Sequence, residues 1–332
     1  MASPLNLGQI ADTTNVAIQK MFKKDAATTP EYASYYNVRT TEDYIDKDSS
    51  MSGLSEGTFT SENAKITEDS YVQGFDQSYT QDSVDILVPF TYRAWKFGIK
   101  KRKLANIATE ISRALNRKKN KLAAERLTNG FSTNYTHTQA NGPSRTITIT
   151  GGDGLEPWNT SHTREDGGTG MNNVVYDGST YSLPFDYAGY KAAMRTAGLM
   201  VDPRGNPMIP NLDTLVCKKN SSVAFKAKEI LGAIKKGNIP ESFDNDAAGT
   251  PAFKVIELEY LTQDAYWFMF DSSMKGDDYG FQHIESEANN LDPVNIVFKT
   301  REMQFAGHTL FQQGFNDVAR MWVASAGDSV TT

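Results

Sequence analysis

Five residues, Gly53-Leu54-Ser55-Glu56-Gly57, fit the G-x-S-x-G spacing that holds a nucleophilic serine on a sharp turn. That chemistry needs an apolar strand before the serine and a helix after it. Here an acidic, polar stretch precedes the motif and a Thr/Ser-rich segment follows, so it reads as a loop. Gly168-Thr169-Gly170 lacks the third glycine and the strand–helix frame of a dinucleotide turn. No phosphate-cradling G-x-x-x-x-G-K-[ST] occurs in the chain. Asp244, Asp246 and Gly249 open like a calcium loop, but Ala248 and Val255 stand where oxygen ligands are required.

The four histidines, His137, His162, His283 and His308, show no metal-type spacing. His283-Ile284-Glu285 matches part of a deaminase signature without its P-C-x-x-C partner. Each histidine is expected at the surface or in packing. The single cysteine, Cys217, rules out an internal disulfide and a Cys-rich zinc site, and lies in an apolar strand as a small hydrophobe. Glu257 and Glu259 share one strand face, which reads as a wet face. The sequence therefore assigns no catalytic, cofactor-binding or metal-ligating residue.

Charge carries more information. Residues 41–85 hold eleven carboxylates against Lys47 and Lys65, a net of −9. Residues 96–126 hold eleven bases against Glu110 and Glu125, a net of +9. Neighbouring segments of opposite sign suggest one surface made to meet another. The sharpest candidates are Glu42, Asp43, Asp46 and Asp48 on one side and Arg117, Lys118, Lys119 and Lys121 on the other. A basic helix could instead bind phosphate backbones. It carries no interleaved aromatics, and the rest of the chain is strongly acidic, so this reading ranks second.

The elements that must position these charges follow from length and periodicity. The 332 residues allow one large domain or two ordinary ones, and 39% apolar content supports a substantial core. Mean hydropathy is −0.49, and the longest apolar run, Tyr266–Phe270, is far too short to span a bilayer. The start of the chain does not read as a signal peptide. Residues 1–40 read as an extended arm, and 41–98 as a long β-hairpin. Its limbs are expected at Thr58–Ile66 and Val84–Phe90, with a tip near Ser70–Thr80. Residues 99–129 form the clearest helix, with a stripe at Leu104, Ile107, Ile111, Leu115, Leu122 and Leu127. Residues 131–182 are poor in core residues and are expected as a dispensable surface insertion with one strand, Arg145–Thr150. Residues 183–284 read as an α/β unit. Asp186 caps a helix Tyr187–Ala197, Leu212–Lys218 is a strand, and a helix runs from Ser221 to about Leu231. Phe253–Leu261 and Tyr266–Asp271 are then two strands in tight succession. Asn295–Arg301, Thr309–Phe315 and Ala319–Ala324 close the chain as strands.

This order of arm, acidic hairpin, long helix, α/β unit and returning strands resembles the major capsid proteins of tailed bacteriophages, with the Hong Kong 97-type fold shared by encapsulins. Local sequence adds to the likeness: Phe185-Asp186-Tyr187 to Gly198, Asp202-Pro203-Arg204-Gly205-Asn206-Pro207, and Leu212-Asp213-Thr214-Leu215-Val216. Phe253-Lys254-Val255-Ile256 with Ala265 to Asp271 is similar to that family's central hairpin. Asn295–Arg301, Gly307 and Phe311–Ala326 resemble its closing strands.

The resemblance implies an α+β subunit with several parts. They are an N-terminal arm (1–40), an extended loop (41–98), a peripheral domain (99–182 and 285–332) with spine helix 99–129, and an axial domain (183–284). It implies a structural, non-enzymatic protein without cofactors. Such a protein is made in the host bacterial cytoplasm and assembles with itself as hexamers and pentamers into an icosahedral virion shell. A separate scaffolding protein, a portal, decoration proteins and packaged double-stranded DNA, held without sequence-specific contacts, are the implied partners. No membrane is implied. An encapsulin-like compartment and, more distantly, a hydrolase on an α+β scaffold are the alternatives.

Overall fold

The computed structural model describes residues 22, 29–51, 53–54, 56–71, 73–91, 93, 101–236, 253–276, 279–293, 295–297, 299–300 and 302–327. In chain order the strands and helices begin with β1 (Asn37–Thr40), β2 (Ile45–Met51), β3 (Gln73–Thr80), β4 (Asp82–Thr91), α1 (Lys101–Thr128), β5 (Asn134–His137) and β6 (Arg145–Thr148). There follow α2 (Tyr187–Ala197), β7 (Thr214–Lys218), α3 (Ser222–Lys236), β8 (Lys254–Leu258) and β9 (Trp267–Phe270). The chain closes with β10 (Phe281–Leu291), β11 (Asn295–Val297), β12 (Glu302–Phe315) and β13 (Trp322–Ser325).

Alternation builds the larger sheet. Along β12 the odd residues Met303, Phe305, Gly307, Thr309 and Phe311 are buried, the period-2 signature of a strand with one covered face. That face meets Ala108, Ile111 and Leu115 of α1, and Val84, Ile86, Val88 and Phe90 of β4 pack beside them. Gly307 is required here, because a Cβ would lie 2.5 Å from Ile111 Cγ2. The strand order is β1-β10-β12-β11, with β4 pairing β12 over its full ten residues. The four-stranded sheet runs β13-β9-β7-β8. Phe185, Tyr190 and Ala193 from α2 and its approach, and Val223, Ala224 and Ala227 of α3, share a core with Leu215, Cys217, Trp267 and Met269. Asp186 starts α2 as expected, its Oδ1 accepting from Gly189 N–H at 2.7 Å.

The two sheets meet at an aromatic cluster. The Trp158 ring lies 5.2 Å from Phe268, 5.6 Å from Phe281 and 5.9 Å from Trp322. Its Nε1–H donates to Leu127 O at 2.9 Å, closing one of the orphan carbonyls at the end of α1. Tyr32, Tyr35 and Tyr36 join the same core.

Several expectations need correction. The hairpin is β2 paired with β3, antiparallel, while Thr58–Ile66 is not a strand. Val84–Phe90 leaves the hairpin for the main sheet, where its apolar face shares a core with α1, Met303 and Phe305. A single residue, Gln81, separates β3 from β4. Part of the arm is structural, since β1 pairs with β10 in parallel and the tyrosines before it are buried. α3 continues through Gly232 to Lys236. β8 and β9 do not form a hairpin; they flank β7, one parallel and one antiparallel. β11 ends at Val297 and β12 begins at Glu302, earlier than expected. β13 pairs with β9 in the smaller sheet. The division expected between residues 284 and 285 falls inside the unbroken strand β10. The segment 131–182 is not dispensable padding, for Tyr135, Ile149, Trp158, Met171, Val174 and Val175 are all buried.

Replacing Trp158 by Ala is expected to destabilise the subunit by about 3–5 kcal/mol, the usual cost of emptying an aromatic site in a core. Denaturant unfolding checks this. A short polar insertion between Gly167 and Gly168, at an exposed turn with Gly167 at φ 72°, is expected to leave the unfolding midpoint unchanged.

Candidate assembly surfaces

A hairpin of two strands is marginal alone in water, and here its base is fastened to the body. The Tyr79 ring packs over Gly314, where a Cβ would lie 2.6 Å from it. Gln77 Nε2 donates to Thr150 O at 3.2 Å, and Asn316 Nδ2 donates to Phe75 O at 3.1 Å. Arg39 of β1 lies 3.6 Å from both Asp46 and Asp48 of β2. Those carboxylates occupy alternate positions and so share the face turned inward. The base therefore rests on its own subunit instead of projecting free.

Beyond the base the chain differs in kind. The described residues 53–54 and 56–71 contain no strand or helix. They expose Leu54, Phe59, Ile66 and Tyr71, with Phe59 and Ile66 at 109% and 77% relative exposure. Isolated exposed apolar side chains are ordinary, but four within 18 residues of one loop form a candidate contact surface. Its return limb is anchored by Arg204. The guanidinium reaches Asp69 Oδ1 at 3.0 Å and also donates to Ser70 O. Asp202 Oδ1 accepts from Arg204 N–H at 2.9 Å and so holds that turn.

The eight charged residues singled out from sequence separate into two groups. Glu42, Asp43 and Arg117 are exposed and Lys121 is half-buried; the two bases lean on Glu110 and Glu125 at 4.0 and 3.7 Å. The other four are engaged within the chain. Asp46 and Asp48 belong to Arg39. Lys119 is 2% exposed, pairs with Glu285 and lies over the Phe311 ring; burial lowers its amine pKa. Its position was legible in principle. Ile111, Leu115, Lys119, Ala123 and Leu127 recur every four residues and are all buried, so the core stripe passes through the lysine. Lys118 Nζ sits 2.6 Å from His137 Nε2, and His137 Nδ1 sits 2.5 Å from Glu125 Oε2. That chain of three was missed, because nothing in the sequence places a residue of β5 on α1.

The remaining polar candidates resolve into packing or solvated pairs. His283 is stacked between Tyr32 and Phe311, accepts from Gln313, and is pushed down to about 3 by burial and then by Lys119. It stays neutral at physiological pH. His162 bonds Asp153 at 2.8 Å. Burial pushes the Cys217 thiol up to about 12. Glu257 and Glu259 pair with Lys228 and Lys219. Ser55, Asp244, Asp246, Ala248 and Gly249 lie outside the described residues. Among the described residues no cluster could hold a metal ion, and no helix is long and apolar enough to cross a membrane. An open groove of about 540 Å³ runs between α1 and the loop after β8, lined by Arg113, Arg117, Asn120, Glu31 and Tyr260. Its lining holds no nucleophile–base pair.

No protein-family model matches the chain, and no curated protein sequence matches it. Solved structures do. One from Mycobacterium phage Adephagia superposes with a TM-score of 0.50 at 10% identity, covering 92% of each chain. The procapsid of bacteriophage JBD30 gives 0.46 at 13% identity, over 98% of this chain and 78% of that one. The capsid of a native GTA particle gives 0.47 at 12% identity, over 90% and 89%.

One group in this region titrates with consequence. His308 Nε2 lies 2.9 Å from Glu287, and Nδ1 lies 3.1 Å from Asp292; Asp85 stands across from it on β4. Both ring nitrogens face carboxylates, so the imidazolium is favoured and its pKa is raised despite burial. Its contribution to stability is fully present below about pH 6.5 and is lost as pH rises through the raised native value. His308→Gln should cost about 1 kcal/mol at pH 5.5 and nearly nothing at pH 8.5, read from paired denaturant curves.

Proposed function

From the α+β, Hong Kong 97-type fold that the chain adopts, we propose that it is a structural major capsid protein of a tailed bacteriophage. In this reading many copies assemble as hexamers and pentamers into an icosahedral shell around double-stranded DNA. The observation that carries it is the hairpin. Its base is fastened to its own subunit, while its loop offers Phe59 and Ile66 to water with no intrachain cover. A second copy supplies that cover, and a head-to-tail contact of this kind closes into a ring. Residues 41–80 then act as the extended loop, shorter than the 41–98 expected because β4 belongs to the main sheet, with α1 as the spine of a peripheral domain and the α2/α3 sheet unit as the axial domain. A scaffolding protein, a portal and decoration proteins complete the particle. The DNA is enclosed without sequence-specific contacts, and the mature location is the virion.

The charged contact we propose is narrower than the sequence suggested. Glu42 and Asp43 of one copy face Arg117 and Lys121 of the next, since the first three are exposed and the half-buried Lys121 keeps 44% of its side chain in water. Each such pair contributes only about 0–1 kcal/mol, yet repetition over every interface sets register and disfavours wrong contacts.

Co-expression with neighbouring genes followed by negative-stain microscopy tests the reading. Closed shells are the expected result, and monodisperse subunits under every condition would overturn it. The double variant Phe59→Asp/Ile66→Asp should keep the wild-type circular dichroism and lose shells. Arg117→Glu/Lys121→Glu should slow assembly at low salt, with partial recovery on adding Glu42→Lys/Asp43→Lys. Normal shells from the first variant would remove the loop from the interface, and indifference to the charge swap would remove the ion pairs.

A further inference from the structure

The strand pair β5–β6 lies across α1 so that one imidazole joins two turns of the helix. Lys118 and Glu125 are seven residues apart, two helical turns, and therefore share a face. His137, only 3% exposed, fills the space between them. Its Nδ1 meets Glu125 Oε2 at 2.5 Å and its Nε2 meets Lys118 Nζ at 2.6 Å. With Nδ1 carrying the proton toward the carboxylate, Nε2 presents its lone pair to the amine. This is the arrangement of a nucleophile, a base and a group that orients the base.

We propose that Lys118 is a nucleophilic amine that accepts an acyl group from an acyl thioester, with His137 as general base and Glu125 orienting it. The amine lone pair attacks the thioester carbonyl carbon, and a nitrogen–carbon bond forms. As the tetrahedral intermediate collapses, the carbon–sulfur bond breaks. The proton leaving Lys118 passes to His137 Nε2 and then to the departing thiolate. The products are an Nε-acyl lysine and a free thiol, with no change of oxidation state.

The surroundings support the neutral amine that such a step requires. Burial is the largest influence lowering the Lys118 pKa; Lys121 and Arg145 act in the same direction, and Glu125 opposes them. Arg145 stands directly opposite His137 in the β5–β6 register. A lysine is made nucleophilic by these means, desolvation and a nearby cation. Acylation would also erase one positive charge from the basic helix, so the modification bears on the charge pattern of α1 whatever the helix contacts.

The test separates this role from a purely structural one, because the two predict opposite rates. An amine that is merely half-buried and hydrogen-bonded should react more slowly than exposed lysines. The folded full-length protein is incubated at pH 7.5 with the acetyl thioester of N-acetylcysteamine, and acetylation is followed by peptide mass spectrometry. Lys118 is expected to acetylate at least ~100-fold faster than the exposed Lys47 and Lys65, the lower end of general-base assistance. The advantage should disappear in guanidinium and in His137→Gln. In Glu125→Gln it should shrink, with the pH profile displaced. Lys118 reacting no faster than Lys65 in the folded wild type would overturn the proposal. So would an advantage that survives unfolding or the loss of His137.

Discussion

The contact between the C-terminal end of α1 and the indole of Trp158 is the constraint on which the subunit depends. One side chain from an otherwise irregular segment closes the helix by accepting no compromise in geometry: its N–H goes to Leu127 O, and its faces go to Phe268, Phe281 and Trp322. Those rings belong to β9, β10 and β13, so a strand of the larger sheet and two of the smaller meet at one residue. Close-packed interiors transmit displacement instead of absorbing it. The long helix, the two sheets and the tyrosines before β1 are thereby held as one body around a shared aromatic centre.

Electrostatics in this protein divides by depth. At the surface of α1, arginines and lysines lean on neighbouring glutamates and stay wet. Deeper, single charges are matched individually: Lys119 with Glu285, Arg320 with Glu165 and Asp317. Removing one partner of such a pair leaves an uncompensated buried charge, which costs far more than the pair contributes. The overall segregation of acidic and basic segments therefore overstates the number of groups that can meet another molecule. Half of the charged residues that the sequence brings forward are already committed inside the chain.

Where local rules decide, the sequence was readable. The stripe of α1, the Asp186 cap of α2 and the alternation of β4 were all visible, because each rests on neighbours within a few residues. What stayed hidden was partnership across long separations. β10 escaped notice because Gln282, His283, Glu285 and Glu287 interrupt its apolar pattern; the first two are buried by long-range pairing, and the strand is bulged at Glu287. The segment 131–182 looked expendable by density of large residues, yet Tyr135, Ile149, Trp158, Met171, Val174 and Val175 enter the cores. At the candidate surfaces, the weak alternation of Thr58–Ile66 suggested a strand limb where the chain is irregular and exposed, and the Lys118–His137–Glu125 chain was not legible, being made by a fold-level crossing.

The one-residue joint at Gln81 has a mechanical meaning. β3 belongs to the hairpin, β4 is paired along its whole length to β12, and Gln81, itself buried, leaves no slack between them. A pull on the hairpin therefore arrives at the end of a ten-residue ladder lying beneath α1. Tension directed along a strand loads its rungs together as shear, whereas tension across it opens them one after another. The direction in which a hairpin is drawn thus decides whether the subunit behaves as a stiff tie or as a zip.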